Sequence, residues 1–315
     1  LRSDRLALLV KAARMYHEER ILQPEIADRL NVSQSRVSRL LKEAERMGIV
    51  RTVVITPQGY YSELEQGVRD ALGLRDVVIA EAATDDEASI LLAIGSAAAE
   101  YLGTTLKSGE RIGISSRSAS LLAMVEALAP LTSGRAESVV QTLGAVGNSV
   151  MQAQATRLTD RLAHLTGGTP TFLSAPGVVS SAAVRDGLLL DPHIAEAAAA
   201  WRDLTLVLTG VGSAKASPLK QAWGHALQQN DIDALAELDA VGDVCLNFFD
   251  RDGRPVDSGL RERVLGIGGA EFRAVPRRIA VAGGRTKVDA IRAAAAGEWI
   301  NVVITDQHTA RRLIG

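Results

Sequence analysis

The chain is poor in aromatic residues: Phe, Trp and Tyr make up 3% of its 315 positions. Any core must therefore rest on Ala, Val, Leu and Ile. It has one cysteine, Cys245, which excludes an internal disulfide. The apolar setting of that residue (DVCLNFF) marks a buried structural thiol rather than a reactive one. No stretch is long and apolar enough to span a membrane, and no signal-peptide core opens the chain, so a cytoplasmic protein is expected. The five histidines (His17, His164, His193, His225, His308) are scattered without metal-ligand spacing. GxSxG, HExxH, Walker A and CxxC are all missing. No metal, no cofactor and no catalytic residue is expected.

A strong charge of either sign is also lacking, since the net charge is −2. Its distribution is uneven. Residues 1–56 carry eleven Lys/Arg and seven Asp/Glu, a net of +4, which leaves −6 for the remainder. A basic head on an acidic body fits a DNA-binding domain joined to a second domain. A head of +4 is modest, so tight operator binding needs more than one. With 47% hydrophobic and 23% charged residues, the body is long enough for a sizeable core.

The head is organised around Gln23–Met47 (QPEIADRLNVSQSRVSRLLKEAERM), which reads as a helix-turn-helix. A first helix is expected at Pro24–Leu30, a turn at Asn31-Val32, and a second helix from Ser33. Pro24 suits a first helical position, where its missing N–H costs nothing. Ser33 is a good N-cap. Ile26, Leu30, Val32, Val37 and Leu40 are apolar where the helices must meet, and Val37, Leu40, Leu41, Ala44 and Met47 form the buried face of the second. Gln34, Ser35, Ser38 and Arg39 occupy its opposite face, with Arg36 on the flank. These are the side chains a recognition helix presents to base edges in a major groove. Arg5–Glu19 reads as a helix behind this pair, with Leu6, Leu9, Ala13 and Tyr16 on one stripe. Gly48 ends the recognition helix, and Ile49–Thr56 alternates like the strand of a wing. The break at Thr56-Pro57-Gln58-Gly59 divides a domain at 1–56 from one at 57–315.

A helix is expected at Ser62–Leu72. Beyond it, strands are expected at Asp76–Glu81, Arg111–Ser115, Ser138–Leu143, Thr171–Leu173, Thr205–Thr209, Val244–Phe249, Ile279–Ala282 and Val302–Thr305. Helices alternate with them at Asp85–Leu102, Ser118–Leu128, Ser149–Leu165, Ile194–Ala200, Ile232–Leu238, Lys287–Ala296 and Gln307–Leu313. This alternation means an α/β domain with a parallel sheet covered on both faces. Ligands of such sheets bind at the carboxyl ends of the strands. Four strand ends share one chemistry. Ser115-Ser116-Arg117-Ser118 leads into a helix N-terminus and makes an anion site. Gly144–Gly147, Thr209–Ser213 and Gly283–Lys287 close three further strands with glycine, the last placing Arg285 and Lys287 ahead of a helix. Together they describe a pocket for a small anion such as a sugar phosphate.

Four stretches carry a resemblance over nearly the whole chain: Ala12–Leu41, Val241–Val256 (VGDVCLNFFDRDGRPV), Ile279–Ile291 (IAVAGGRTKVDAI) and Ile300–Ala310 (INVVITDQHTA). The sequence resembles the SorC/DeoR-type family of sugar-binding transcriptional regulators. The resemblance implies a winged helix-turn-helix followed by a Rossmann-like effector domain related to ribose-5-phosphate isomerase and glucosamine-6-phosphate deaminase. It further implies a phosphate loop at Ser115, Ser116, Arg117 and Ser118 and a glycine turn at Gly144. A polar helix position falls at Gln154, or at Gln152 if the alignment shifts. Asp243 would accept hydrogen bonds from sugar hydroxyls, and Lys287 would face the phosphate. Members form dimers and tetramers, so two or more heads on a palindromic or repeated operator are expected. The implied function is a DNA-binding regulator of a carbohydrate-utilisation operon, controlled by a sugar, polyol or sugar-phosphate effector. Three departures stand out. Ser116-Arg117 replaces the usual Trp-Gly pair, Arg285 replaces a small or acidic residue, and Leu143 stands where members that take a bisphosphate are basic. Either the extra arginines serve a differently placed anion, or the effector is an unphosphorylated polyol. The rival reading is a sugar-phosphate isomerase or deaminase with an appended DNA-binding domain. It requires a positioned general base, for which Asp243 is the sole pocket carboxylate proposed.

Overall fold

The computed structural model describes residues 2–50, 61–115, 118–147, 149–214 and 227–315, without the side chains of 2–4 and 149–151. The chain divides into two compact units between Pro57 and Gln58. Among the described residues no helix is long and apolar enough to cross a membrane.

Among the described residues, the first unit holds three helices: α1 (Arg2–His17), α2 (Gln23–Leu30) and α3 (Gln34–Arg46). Pro24 lies in the first turn of α2, where no intrahelical donor is needed. Asn31 ends α2 in the left-handed region at φ 52°, a conformation that Asn tolerates better than most residues. The core joins Leu9, Ala12 and Ala13 of α1 to Ile26, Ala27, Val37, Leu40, Leu41 and Ala44. Ala27 is small where α3 crosses. Leu6 and Tyr16 are exposed instead of lining the buried stripe, and so is Met47, which lies one residue past the end of α3. Ile49 and Val50 do not begin a strand. Their N–H groups both return to the Ala44 carbonyl, at 2.9 and 3.3 Å, and close the helix. The rest of the expected wing strand lies outside the described residues.

The second unit opens with α4 (Ser62–Leu72), followed by β1 (Asp76–Ala80), α5 (Glu87–Thr105), β2 (Arg111–Ile114), α6 (Ala119–Ala127), β3 (Ser138–Gln141), α7 (Ser149–Thr166) and β4 (Thr169–Thr171). Then come α8 (Ala182–Leu189), α9 (Pro192–Ala199), β5 (Leu206–Thr209), β6 (Gly212–Ser213), α10 (Gln229–Glu237), β7 (Gly242–Val244) and β8 (Asn247–Phe249). The chain closes with α11 (Gly269–Ala274), β9 (Arg277–Val281), α12 (Val288–Ala296), β10 (Val302–Asp306) and α13 (Gln307–Ile314). Seven strands form a parallel sheet in the order β1-β10-β9-β5-β2-β3-β4. From β2 the chain steps outward to β3 and β4, and from β5 it steps the other way to β9 and β10. The order therefore reverses between β2 and β5, and a crevice opens beyond their carboxyl ends.

Two apolar layers cover the sheet. One packs α5, α6 and α7 against residues such as Ile112, Ile114, Leu208 and Ile304. Gly95 lets α6 approach, since a methyl there would lie 2.7 Å from the Ala123 Cβ. The other gathers the scarce aromatics: Trp299 stacks on Phe249 at 5.5 Å, packs near Phe272, and donates from Nε1 to the Gly253 carbonyl at 2.8 Å.

One expected strand is overturned. Val244–Phe249 is not a strand of the parallel sheet but a hairpin. Cys245 and Leu246, at φ 50° and 61°, turn β7 back onto β8, and β6-β7-β8 forms a small antiparallel sheet. A short apolar run has no periodicity to separate the two outcomes, and the turn lacks the glycine that normally marks left-handed positions. Helices α8 and α11 also go beyond the sequence-based expectations.

Candidate functional site

The first candidate face is the exposed side of α3. Ser33 caps it, its Oγ accepting the Arg36 N–H at 3.3 Å. Gln34, Ser35, Arg36 and Arg39 are exposed and Ser38 is half-buried, so the five expected residues share the solvent side. Ser33 and Ser35 bring their hydroxyls to 3.0 Å, and Arg39 Nε donates to the Ser35 carbonyl at 3.3 Å. No acid lies in the first turn of α3. Its first acid, Glu43, is held by Arg5 at 2.8 Å. The helix dipole and two arginines thus present positive potential at the end that carries the hydrogen-bonding side chains.

The second candidate is the crevice beyond β2 and β5. Ser115, buried, follows β2 and pairs its N–H with the Leu208 carbonyl at 3.0 Å. Ser118 caps α6: its Oγ accepts the Leu121 N–H at 3.3 Å and lies 2.9 Å from the Ser120 Oγ. No acid occupies the first turn of α6, so no carboxylate of the helix itself opposes an anion at this end. Ser116 and Arg117 lie outside the described residues. Gly210, after β5, must be glycine because a methyl would lie 2.6 Å from the Ser118 Oγ.

The β7–β8 hairpin enters the crevice from the side. Asp243 is buried in β7, opposite Gly212, and its Oδ2 accepts the Leu246 N–H at 3.1 Å. A methyl on Gly212 would overlap the Asp243 carboxylate, so the backbone of β6 passes directly against it. At the hairpin tip the Cys245 thiol lies 3.5 Å from Thr142 Oγ1 and 3.9 Å from Thr209 Oγ1. Burial pushes this thiol up, against the hydrogen bonds from Thr142, Ser115 and Thr209. Cys245 is a neutral plug joining the ends of β2, β3 and β5, the structural role its sequence setting indicates.

Beyond β9 the chain turns at Gly283-Gly284 into a short 3₁₀ segment, Arg285–Lys287, and then α12. Gly284 sits at φ 103°, ψ 151°, a region only glycine adopts readily. Its N–H donates to Thr309 Oγ1 at 2.7 Å, and that hydroxyl donates to Asp306 Oδ2 at 2.5 Å. Asp306, fully buried, also caps α13 through the His308 and Thr309 N–H groups. Asp306 and Thr309 thereby position the Lys287 turn, a role not evident from their sequence setting. Lys287 is partly buried. Burial lowers its pKa below the usual lysine value, against the fields of Glu87 and Asp243. Asp243 and Lys287, far apart in sequence, therefore share one electrostatic environment at the strand ends.

The other expected residues fall differently. Gly144 gives its N–H to the Leu265 carbonyl at 2.9 Å, and a methyl there would lie 2.6 Å from the Ala175 carbonyl oxygen. Its glycine answers to close chain packing. Gln154 is exposed on α7 and Gln152 is half-buried. Arg285 reaches Asp85 at 3.3 Å, and Arg312 also pairs with Asp85. The two guanidiniums hold the Asp85 pKa down to about 2, Arg312 having the larger effect. Among the described residues no cluster of His, Cys, Asp and Glu could hold a metal.

Residues 57–315 match the profile of a sugar-binding domain family, and residues 15–51 match that of a winged helix-turn-helix DNA-binding family. The chain is 30% identical over 311 residues to the deoxyribonucleoside regulator of Bacillus subtilis, covering 99% of this chain and 98% of that protein. It is 28% identical over 313 residues to the sorbitol operon regulator of Klebsiella pneumoniae, covering 99% of both. The crystal structure of full-length SorC from Klebsiella pneumoniae matches with a TM-score of 0.72 at 27% identity, over 99% of this chain and 100% of that one. With a recognition helix in one unit and strand-end polar groups in the other, the chain belongs to the SorC/DeoR-type family of sugar-binding transcriptional regulators.

Proposed function

We propose that this regulator senses a small polyhydroxylated effector, a sugar, polyol or sugar phosphate, in the crevice beyond β2, β5 and β9. The observation that carries the reading is that β6 and the turn before it pass directly against both the Ser118 hydroxyl that caps α6, at Gly210, and the Asp243 carboxylate, at Gly212, with Lys287 in the field of that carboxylate. A carboxylate accepts hydrogen bonds from sugar hydroxyls. A cation and helix N–H groups receive an anionic end. Ser115, Ser116, Arg117 and Ser118 supply the loop around that end, with Gly144 and Gln154 on the β3 side. Two relatives are named for deoxyribonucleosides and for sorbitol, which supports a ligand of this size and polarity. On the DNA side, Gln34, Ser35, Arg36, Ser38 and Arg39 contact operator DNA, Arg and Gln reading base edges.

The protein acts as a homo-oligomer, dimer or tetramer, inside the cytoplasm. Its effector shifts operator affinity by preferring one arrangement of the heads. It is a binding protein rather than an enzyme: hydroxyls, one carboxylate and one lysine at the strand ends suffice to hold a sugar. The test is fluorescence-anisotropy binding to the DNA upstream of its own operon, titrated with sugars, polyols and their phosphates. One compound shifts the curve for the wild type but not for Lys287→Ala or Asp243→Asn. No shift by any compound, or turnover of ribose 5-phosphate or glucosamine 6-phosphate, overturns the reading.

A further inference from the structure

Helix α5 carries charge only at Glu87 and Glu100 along its 19 residues. A helix that is apolar all round belongs in an interior. Yet one side of α5 faces solvent: Leu92 is 73% exposed, and Ala93, Ala97 and Tyr101 are half-exposed. This side walls a groove of about 750 Å³ between α4, α5 and β1, the last strand on its side of the sheet. Among the described residues, every charged side chain lining the groove is an acid: Glu65, Glu81 and Glu100.

A second concavity, of about 550 Å³, lies on α12 and α13, and its ionisable side chains are all basic: Arg292, His308, Arg311 and Arg312. Part of this charge is committed within the chain. Arg312 pairs with Asp85, and Arg292 donates to the Arg312 and Leu313 carbonyls at the end of α13. Arg311 is exposed. The acidic and basic surfaces adjoin, because α13, which carries Arg311, packs against both α4 and β1, which border the acidic groove.

The edge of β1 does not invite strand addition. The Ile79 N–H donates to Glu65 Oε1 and the Val77 N–H to Asp76 Oδ1, both at 3.0 Å. Side-chain packing is what this surface offers. Adjoining patches of opposite sign beside an apolar strip are self-complementary under a two-fold rotation, the acidic side of each copy meeting the basic side of the other. We infer that a second copy of this chain docks here, Glu81 and Glu100 of each copy pairing with Arg311 of the other across the two-fold axis, and Leu92, Ala93 and Ala97 buried beside those pairs. This inference rests on the homo-oligomer reading and assigns its interface.

The test uses the full chain in sedimentation velocity at micromolar concentration. One variant, Glu81→Lys/Glu100→Lys, makes both sides basic. The other, Arg311→Glu, removes the exposed cation. Each alone loses about tenfold or more in self-association, dropping the assembly by one step, and an equimolar mixture of the two regains the wild-type assembly. Leu92→Asp drops it by one step with no rescue. Melting temperature and far-ultraviolet circular dichroism of the residual species report that each variant is folded. If the wild type assembles and the folded variants assemble equally well, or the mixture fails to recover, this interface is overturned and the oligomer reading stands. A monomeric wild type overturns both.

Discussion

Lys287 has a consequence that depends on pH. Burial lowers its pKa below the ordinary lysine value, and a bound anion raises it again by favouring the ammonium form. Anion affinity is therefore full below the effector-free pKa and falls as pH rises through it, starting below the range of an exposed lysine. Calorimetric titration with a phosphorylated effector should show proton uptake in that window, and Lys287→Arg should remove it; an unchanged affinity up to the ordinary lysine range would place the anion elsewhere. Gly212 makes a sharper test of the hairpin. Because a methyl there overlaps the Asp243 carboxylate, Gly212→Ala must push Asp243 aside. The expected cost is about 1–3 kcal/mol of stability, read from the denaturation midpoint. Effector affinity should fall about tenfold or more, with operator binding retained. Part of this site was legible in the residues: Ser115, Ser118, Asp243 and Lys287 gather at neighbouring strand ends. Asp306 and Thr309 were not, because their contribution is a buried relay to the Gly284 N–H across two strand ends. The partner of Arg285 was not legible either, because Asp85, to which it reaches, is 200 positions away.

At the scale of elements, the helix-turn-helix depends on caps and close approach. Ser33→Ala removes the acceptor for the Arg36 N–H and should cost about 0.5–2 kcal/mol, measured by denaturation, with operator affinity weakening in step. Gly95→Val at the α5–α6 crossing should cost about 1–3 kcal/mol, because Ala123 leaves no room for the branched side chain; a neutral result would mean that the helices separate freely. The elements most legible from sequence were those with caps and long periodicity. Helix α4 runs over Ser62–Leu72, as its pattern indicates, and Ser33, Asp86 and Ser118 cap the helices they precede. The β7–β8 hairpin was not legible, since it turns on Cys245 and Leu246 without glycine, and what holds that turn is tertiary: Asp243 on the Leu246 N–H and three hydroxyl side chains around the thiol. Helix α8 has no buried residue, so it lacks the apolar stripe that identifies a helix in sequence.

For the whole molecule, the question is how a sugar in one unit alters DNA affinity in the other. A head of net charge +4 neutralises few phosphates, and a single head binds weakly at physiological salt. In the proposed homo-oligomer, joining heads through the C-terminal units makes the second contact intramolecular and multiplies affinity by about 10²–10⁴ when the geometry fits. An effector that favours one assembly geometry therefore acts on that factor, not on the base contacts. The expected coupling is about 1–3 kcal/mol, a five- to 150-fold change in operator affinity. Two consequences separate this from a direct effect on the recognition helix. Destroying one half-site of the operator should remove most of the affinity and most of the effector response together. Arg39→Ala should relax discrimination between operator sequences while leaving the effector response at its wild-type size. Anisotropy titrations on full and half-site DNA, with and without the effector that shifts the wild type, measure both. An effector response that survives intact on a half-site would show that the sugar acts on each head alone, and the assembly would then have no part in the switch.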